Sequence, residues 1–135
     1  MSDETIVVGW TPDPYGRAAV SAAVAEARLR DHRLVVVNAT TGDAFVDERY
    51  AADSERAALE GELAASGVPH EVRQTMGADV ADQVLAVADE VSASLVVIGL
   101  RRRTPVGKLL LGSVAQRILL GADAPVLAVK PRDGD

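Results

Sequence analysis

The sequence predicts an α/β domain built on a parallel sheet with helices on both faces. Three observations predict it. Five short apolar runs punctuate the 135 residues, and amphipathic stretches lie between them. Most of the runs are nearly continuous rather than alternating, which is the pattern of strands buried on both faces. Strand alternating with helix from end to end implies βαβ units joined by right-handed crossovers.

The first run, Thr5–Trp10 (TIVVGW), reads as a strand. Asp13 then offers a helix N-cap and Pro14 the first helical position. Ala19, Val20, Ala23, Val24 and Ala27 make the apolar stripe of that helix. The second strand is Leu34–Ala39 (LVVVNA), followed by a patternless stretch, Gly42–Tyr50, expected to be a loop. A second helix is expected over Asp53–Ala65, stopping at Gly67. The third run, His70–Met76, alternates Glu71 and Arg73 with Val72 and Gln74, which suggests an edge strand. Asp79 caps a third helix whose stripe, Val80, Val84, Val87 and Val91, has spacings of four, three and four. Leu95–Gly99 (LVVIG) is the fourth strand. A fourth helix starts near Gly112-Ser113 and ends at Gly121, and Val126–Lys130 (VLAVK) is the fifth strand. Runs one, two, four and five all read as buried on both faces. Arg132–Asp135 is expected to be a frayed tail.

Composition narrows the function. One domain spans 1–135, a length that buries a core without staples. The chain has no cysteine, which excludes disulfides, thiolate metal sites and thiol nucleophiles. Net charge is −6, which disfavours nucleic-acid binding by phosphate neutralisation. Aromatic content is 3%, too little for a base-stacking platform. No apolar run approaches the ~18 residues of a membrane span, and no basic-then-apolar leader precedes the first run. The expectation is a cytoplasmic protein with no membrane association.

In open α/β sheets ligands bind beyond the carboxyl ends of the strands, where strand order reverses. The segment after strand four, Gly99–Leu119 (GLRRRTPVGKLLLGSVAQRIL), holds four cations (Arg101, Arg102, Arg103, Lys108), several glycines and a Gly-Ser pair opening a helix. Free amides at a helix start bind phosphate. Gly112 permits close backbone approach, and the Ser113 hydroxyl adds a donor. Other constellations fail. A P-loop would need glycine at Arg102 and Ser or Thr at Leu109, and no G-x-G-x-x-G follows strand one. Trp10 reads as packing at a strand end. Asn38, at the end of strand two, is a candidate base contact, with a structural hydrogen bond as its alternative. His32 and His70 have no metal-ligand companions, and Asp47-Glu48 does not converge with other acids on a metal. No nucleophile–base–orienter set is visible, so catalysis is not indicated.

Gly99, Gly112 and Ser113 have the spacing of G-x2-G-x9-G-[ST], and the stretch resembles the nucleotide loop of the universal stress protein family. The flanks IVVGW, SLVVIG and GSVAQRILLGADAPVLAVK resemble the family too, as does the turn Met76-Gly77-Ala78. The resemblance covers about residues 4–131. It implies a Rossmann-like, three-layer fold with a five-stranded parallel sheet ordered 3-2-1-4-5, so that Thr11 and Gly99 face one crevice. It implies a stress-response regulatory protein that binds ATP or another adenine nucleotide (AMP, cyclic AMP), with magnesium as a companion ion. It also implies a homodimer paired through Val126–Lys130.

The residues expected to hold the nucleotide are Thr11, Asn38, Gly99, Arg101, Arg102, Gly112, Ser113 and Val114, the last through its backbone amide. Two of them depart from the family pattern. Arg102 replaces the second glycine, and its guanidinium is suited to gripping phosphate directly. Thr11 replaces an aspartate that helps hold the adenosine end in ATP binders. These departures support a second reading, a nucleotide-independent dimerisation and protein-interaction module. A weak ATP hydrolase is a third.

Overall fold

The computed structural model describes residues 4–41, 51–100 and 111–131. The expected loop Gly42–Tyr50, the cations Arg101, Arg102, Arg103 and Lys108, and the tail Arg132–Asp135 lie outside the described residues.

Among the described residues the elements alternate strictly: β1 (Thr5–Gly9), α1 (Pro14–Arg30), β2 (Arg33–Thr40), α2 (Asp53–Ser66), β3 (His70–Met76), α3 (Val80–Glu90), β4 (Leu95–Gly99), α4 (Ser113–Gly121) and β5 (Val126–Val129). The strands form one parallel sheet in the order β3-β2-β1-β4-β5. In the register, Val8 sits between Val36 and Val97.

The central strands are apolar at nearly every position because both faces are covered. Ile6 and Val8 point to a core shared with Ala19, Ala23 and Ala27 of α1 and Leu59 and Leu63 of α2. Val7 and Val96 point the other way, to Val84 and Val87 of α3 and Ile118 of α4. Each fully buried Val, Leu or Ile contributes roughly 1.5–3 kcal/mol relative to exposure. The alanines of α1 let that helix lie close to the sheet.

The helix ends use the predicted devices. Asp13 accepts from the Gly16 amide at 2.9 Å, with Pro14 opening α1. Asp79 accepts from the Asp82 amide at 2.9 Å. Gly67 ends α2 at φ 75°, a left-handed conformation that suits glycine.

β3 is an edge strand, as its alternation predicts. β5 corrects its own reading: it is the opposite edge, its residues are half-buried, and Leu127 is 36% exposed. At the amino end of the sheet, His32 Nδ1 lies 2.8 Å from Ser94 Oγ and His32 Nε2 lies 2.7 Å from Glu4 Oε2. Ser94 Oγ also donates to the Thr5 carbonyl at 3.2 Å, so this chain of contacts staples β1 to the turns preceding β2 and β4.

Candidate functional site

Strand order reverses between β1 and β4. The chain leaves β1 for α1 on one face of the sheet and leaves β4 for α4 on the other. The two carboxyl ends therefore part, and a cavity of about 400 Å³ lies between them. Gly9, Thr11, Ile98 and Gly99 line it from these two strand ends, and Val37, Ala39, Val80 and Val84 from β2 and α3. The first turn of α1 adds Tyr15 and Gly16, and the start of α4 adds Gly112, Ser113 and Val114. No charged side chain is among the described lining residues. The slot is largely apolar, with a few polar groups at its ends, as small-molecule sites commonly are.

The start of α4 supplies the strongest polar feature. Its first intrahelical bond runs from the Gln116 amide to the Gly112 carbonyl at 3.0 Å. The amides of residues 113–115 precede that ladder and carry the positive end of the helix. Arg117 holds α4 in place by bonding Asp79 and, at 2.8 Å, Asp82 at the start of α3.

The glycines that line the site differ in what a side chain would meet. A Cβ at Gly99 would stand 2.5 Å from the Tyr15 carbonyl oxygen, because the first turn of α1 crosses directly over the end of β4. A Cβ at Gly16 would stand 1.7 Å from the Thr11 carbonyl oxygen. A Cβ at Gly112 would meet no atom of the described residues within 4 Å, and its φ of −66° and ψ of 162° are open to any residue. Packing therefore requires glycine at 99 and 16 and not at 112.

Of the predicted site residues, Thr11, Gly99, Gly112, Ser113 and Val114 all line this crevice. Arg101 and Arg102 lie outside the described residues. Asn38 does not line it. Its side chain is fully buried, with Nδ2 donating to the Trp10 carbonyl at 2.9 Å and Oδ1 accepting from the Ala51 amide at 2.8 Å and Gln74 Nε2 at 3.2 Å. The structural alternative stated for Asn38 is the one the geometry supports. Trp10 is buried at the strand end, as expected, and also borders the crevice.

Sequence reading missed Tyr15, Gly16, Val80 and Val84. Gly16 carried a signal, since glycine in the first turn of a helix often marks a close approach. It also missed that the Thr11 hydroxyl donates to Asp13 Oδ1 at 2.8 Å.

A larger groove of about 830 Å³ runs between α1 and α2 on the side of the sheet. It is lined mainly by side chains of α1 and α2, with Trp10 and Pro12 at its end, and takes in neither the end of β4 nor the start of α4. The smaller crevice is the better ligand site.

Comparison with known proteins bears on this crevice. The profile of the Universal stress protein family matches residues 4–130. A universal stress protein of Mycolicibacterium smegmatis is 56% identical over 126 residues, 93% of this chain and 97% of that one. The universal stress protein of Archaeoglobus fulgidus superposes with a TM-score of 0.79 at 28% identity, covering 96% of this chain and 100% of that one. A structure of that organism's protein in complex with dAMP gives 0.66 at 26% identity, covering 96% and 98%. A universal stress protein in complex with cAMP gives 0.73 at 28% identity, covering 98% and 100%.

Proposed function

From the premise that this chain belongs to the universal stress protein family, we propose that it is a stress-response regulatory protein binding ATP or a related adenine nucleotide in the crevice above β1 and β4, as a homodimer. The observation that carries the proposal is the start of α4 opening onto an apolar slot at the switch point of the sheet. Amides at a helix start favour phosphate, and an apolar slot favours a base. Relatives crystallised with dAMP and cAMP support the same class of guest.

In this reading Gly112, Ser113 and Val114 hold the phosphates, and Thr11 meets the nucleoside end. Gly99 keeps α1 close to the site. The proposed role of Arg101 and Arg102 is to neutralise phosphate charge, which a chain of net charge −6 requires locally. No group of three His, Asp or Glu placed to hold a metal occurs among the described residues. Magnesium then enters only as a passenger on the phosphates.

The proposed dimer joins two β5 edges. An apolar edge strand is a template for pairing unless it is covered. Leu120, 88% exposed at the end of α4, and Leu127 of β5 supply apolar surface for a partner copy. The cytoplasm suits a chain with no cysteine, and among the described residues no helix is long and apolar enough to cross a membrane. Calorimetric titration with ATP, AMP and cyclic AMP tests the nucleotide reading, and heat at submillimolar concentration of any one supports it. No heat from all three would favour the nucleotide-independent module.

A further inference from the structure

We infer that Asp13 is a positioning residue that turns Thr11 into a fixed hydrogen-bond acceptor, so that the β1 end of the crevice selects guests presenting a donor there. This rests on the nucleotide reading above and deepens it.

A threonine hydroxyl is ordinarily ambivalent, with one hydrogen to give and two lone pairs to receive. Here the hydrogen is committed. Thr11 Oγ1 donates to Asp13 Oδ1 at 2.8 Å, and the same carboxylate oxygen accepts from the Gly16 amide at 2.9 Å. The Asp13 amide in turn donates to the Thr11 carbonyl at 2.8 Å. Residues 11–16 are thus tied into a closed knot. Gly16 tightens it further, because no side chain fits between it and the Thr11 backbone.

Thr11 lines the crevice, so what its hydroxyl still offers a guest is lone pairs. Donation to a carboxylate polarises the O–H bond and strengthens the oxygen as an acceptor. A neutral threonine then does an acceptor's work beside the crevice, with the negative charge two residues along the chain, on Asp13. The two ends of the crevice have opposite hydrogen-bonding polarity: Thr11 accepts, and the amides at the start of α4 donate. An ionised phosphate carries acceptors only and is matched at α4 and mismatched at Thr11. A ribose hydroxyl or an exocyclic amine is matched at Thr11. The pair therefore sets the direction in which a nucleotide lies as well as its identity.

The test is a thermodynamic cycle between side chain and guest. Affinities are measured for AMP, 2′-deoxy-AMP, 3′-deoxy-AMP and purine riboside monophosphate, the last three each lacking one donor group (the 2′-hydroxyl, the 3′-hydroxyl or the exocyclic amine). The parent is compared with Thr11→Val, Thr11→Ser and Asp13→Ser. One hydrogen bond is worth a factor of about 2 to 12. The parent is expected to bind one analogue more weakly than AMP by that factor. Thr11→Val is expected to abolish that difference by weakening AMP and the two analogues that keep the donor while leaving the third unaffected, and Thr11→Ser to preserve it. Asp13→Ser keeps a good helix cap but withdraws the carboxylate, and is expected to shrink the difference. Thr11→Val weakening all four guests equally, or leaving AMP unaffected, overturns the inference while the nucleotide reading stands. Full discrimination in Asp13→Ser does the same. Failure of the parent to bind any of the four, with ATP and cyclic AMP equally silent, removes both.

Discussion

Replacing Asn38 by alanine separates a residue that holds the site from one that touches its guest. Asn38 is completely buried, and its partners include the Trp10 carbonyl, the Ala51 amide and Gln74 Nε2. Gln74 keeps a second acceptor, the Ala51 carbonyl at 3.0 Å, so it survives the loss. The Trp10 carbonyl and the Ala51 amide lose the partner that the Asn38 side chain supplies. Leaving a buried backbone group unpaired costs about 1–3 kcal/mol, and two such groups give about 4 kcal/mol. Against a total of roughly 5–15 kcal/mol for a domain, that is a large fraction.

Urea denaturation followed by circular dichroism reads this directly. The expected result is a loss of about 4 kcal/mol, equivalent to roughly 10–20 °C in Tm. Asn38→Asp adds a check on sign. The carboxyl would face the Trp10 carbonyl in a dry site, and both burial and that acceptor push its pKa up. The folded state then retains a proton that the unfolded chain has released, so stability falls as pH rises above about 4, the unfolded carboxyl's value. An Asn38→Ala protein within about 1 kcal/mol of the parent that no longer bound nucleotide would refute the reasoning, and would return Asn38 to the ligand.

Two further outcomes follow from the geometry. Gly16→Ala forces a Cβ against the Thr11 carbonyl oxygen, a backbone atom that cannot swing away. The expected cost is about 1–3 kcal/mol or more by thermal melting, and a melt equal to the parent's would contradict the close approach. Leu127→Lys places a charge on the half-exposed edge strand that the proposed dimer would cover. Sedimentation is expected to show a dimer for the parent and a monomer for the variant. An unchanged dimer would move the interface elsewhere.

The frame of this protein was written in its local sequence. Continuous runs such as IVVG, LVVV and LVVI announce strands covered twice, and Asp13, Pro14 and Asp79 mark helix starts through chemistry that acts within four residues. Edge position showed in the alternation of β3 and, through the family resemblance, in the strand order, but not in the residues of β5 themselves. VLAV of β5 has the composition of a central strand, yet it lies at an edge, because a strand's neighbours are chosen by the whole chain. The crevice was legible in the same partial way. Gly99, Gly112 and Ser113 stood out by spacing and by following a strand.

The role of Asn38 did not stand out, since a polar residue ending an apolar run looks the same whether it faces a ligand or a carbonyl. The Thr11–Asp13 bond was hidden for a related reason. Asp13 has one obvious duty as a cap, and only coordinates reveal that the same oxygen serves a second donor. The His32–Ser94 contact spans 62 residues of chain and has no local signature.

The most direct test is a calorimetric comparison of the parent with Gly112→Val across ATP, AMP and cyclic AMP. A Cβ at 112 meets nothing within 4 Å among the described residues, so the variant is expected to fold and melt like the parent. The crevice reading predicts submillimolar binding of at least one nucleotide by the parent and a loss of roughly tenfold or more in the variant, about 1.4 kcal/mol. A parent that stays silent to all three, or a variant that binds as tightly as the parent, would contradict it.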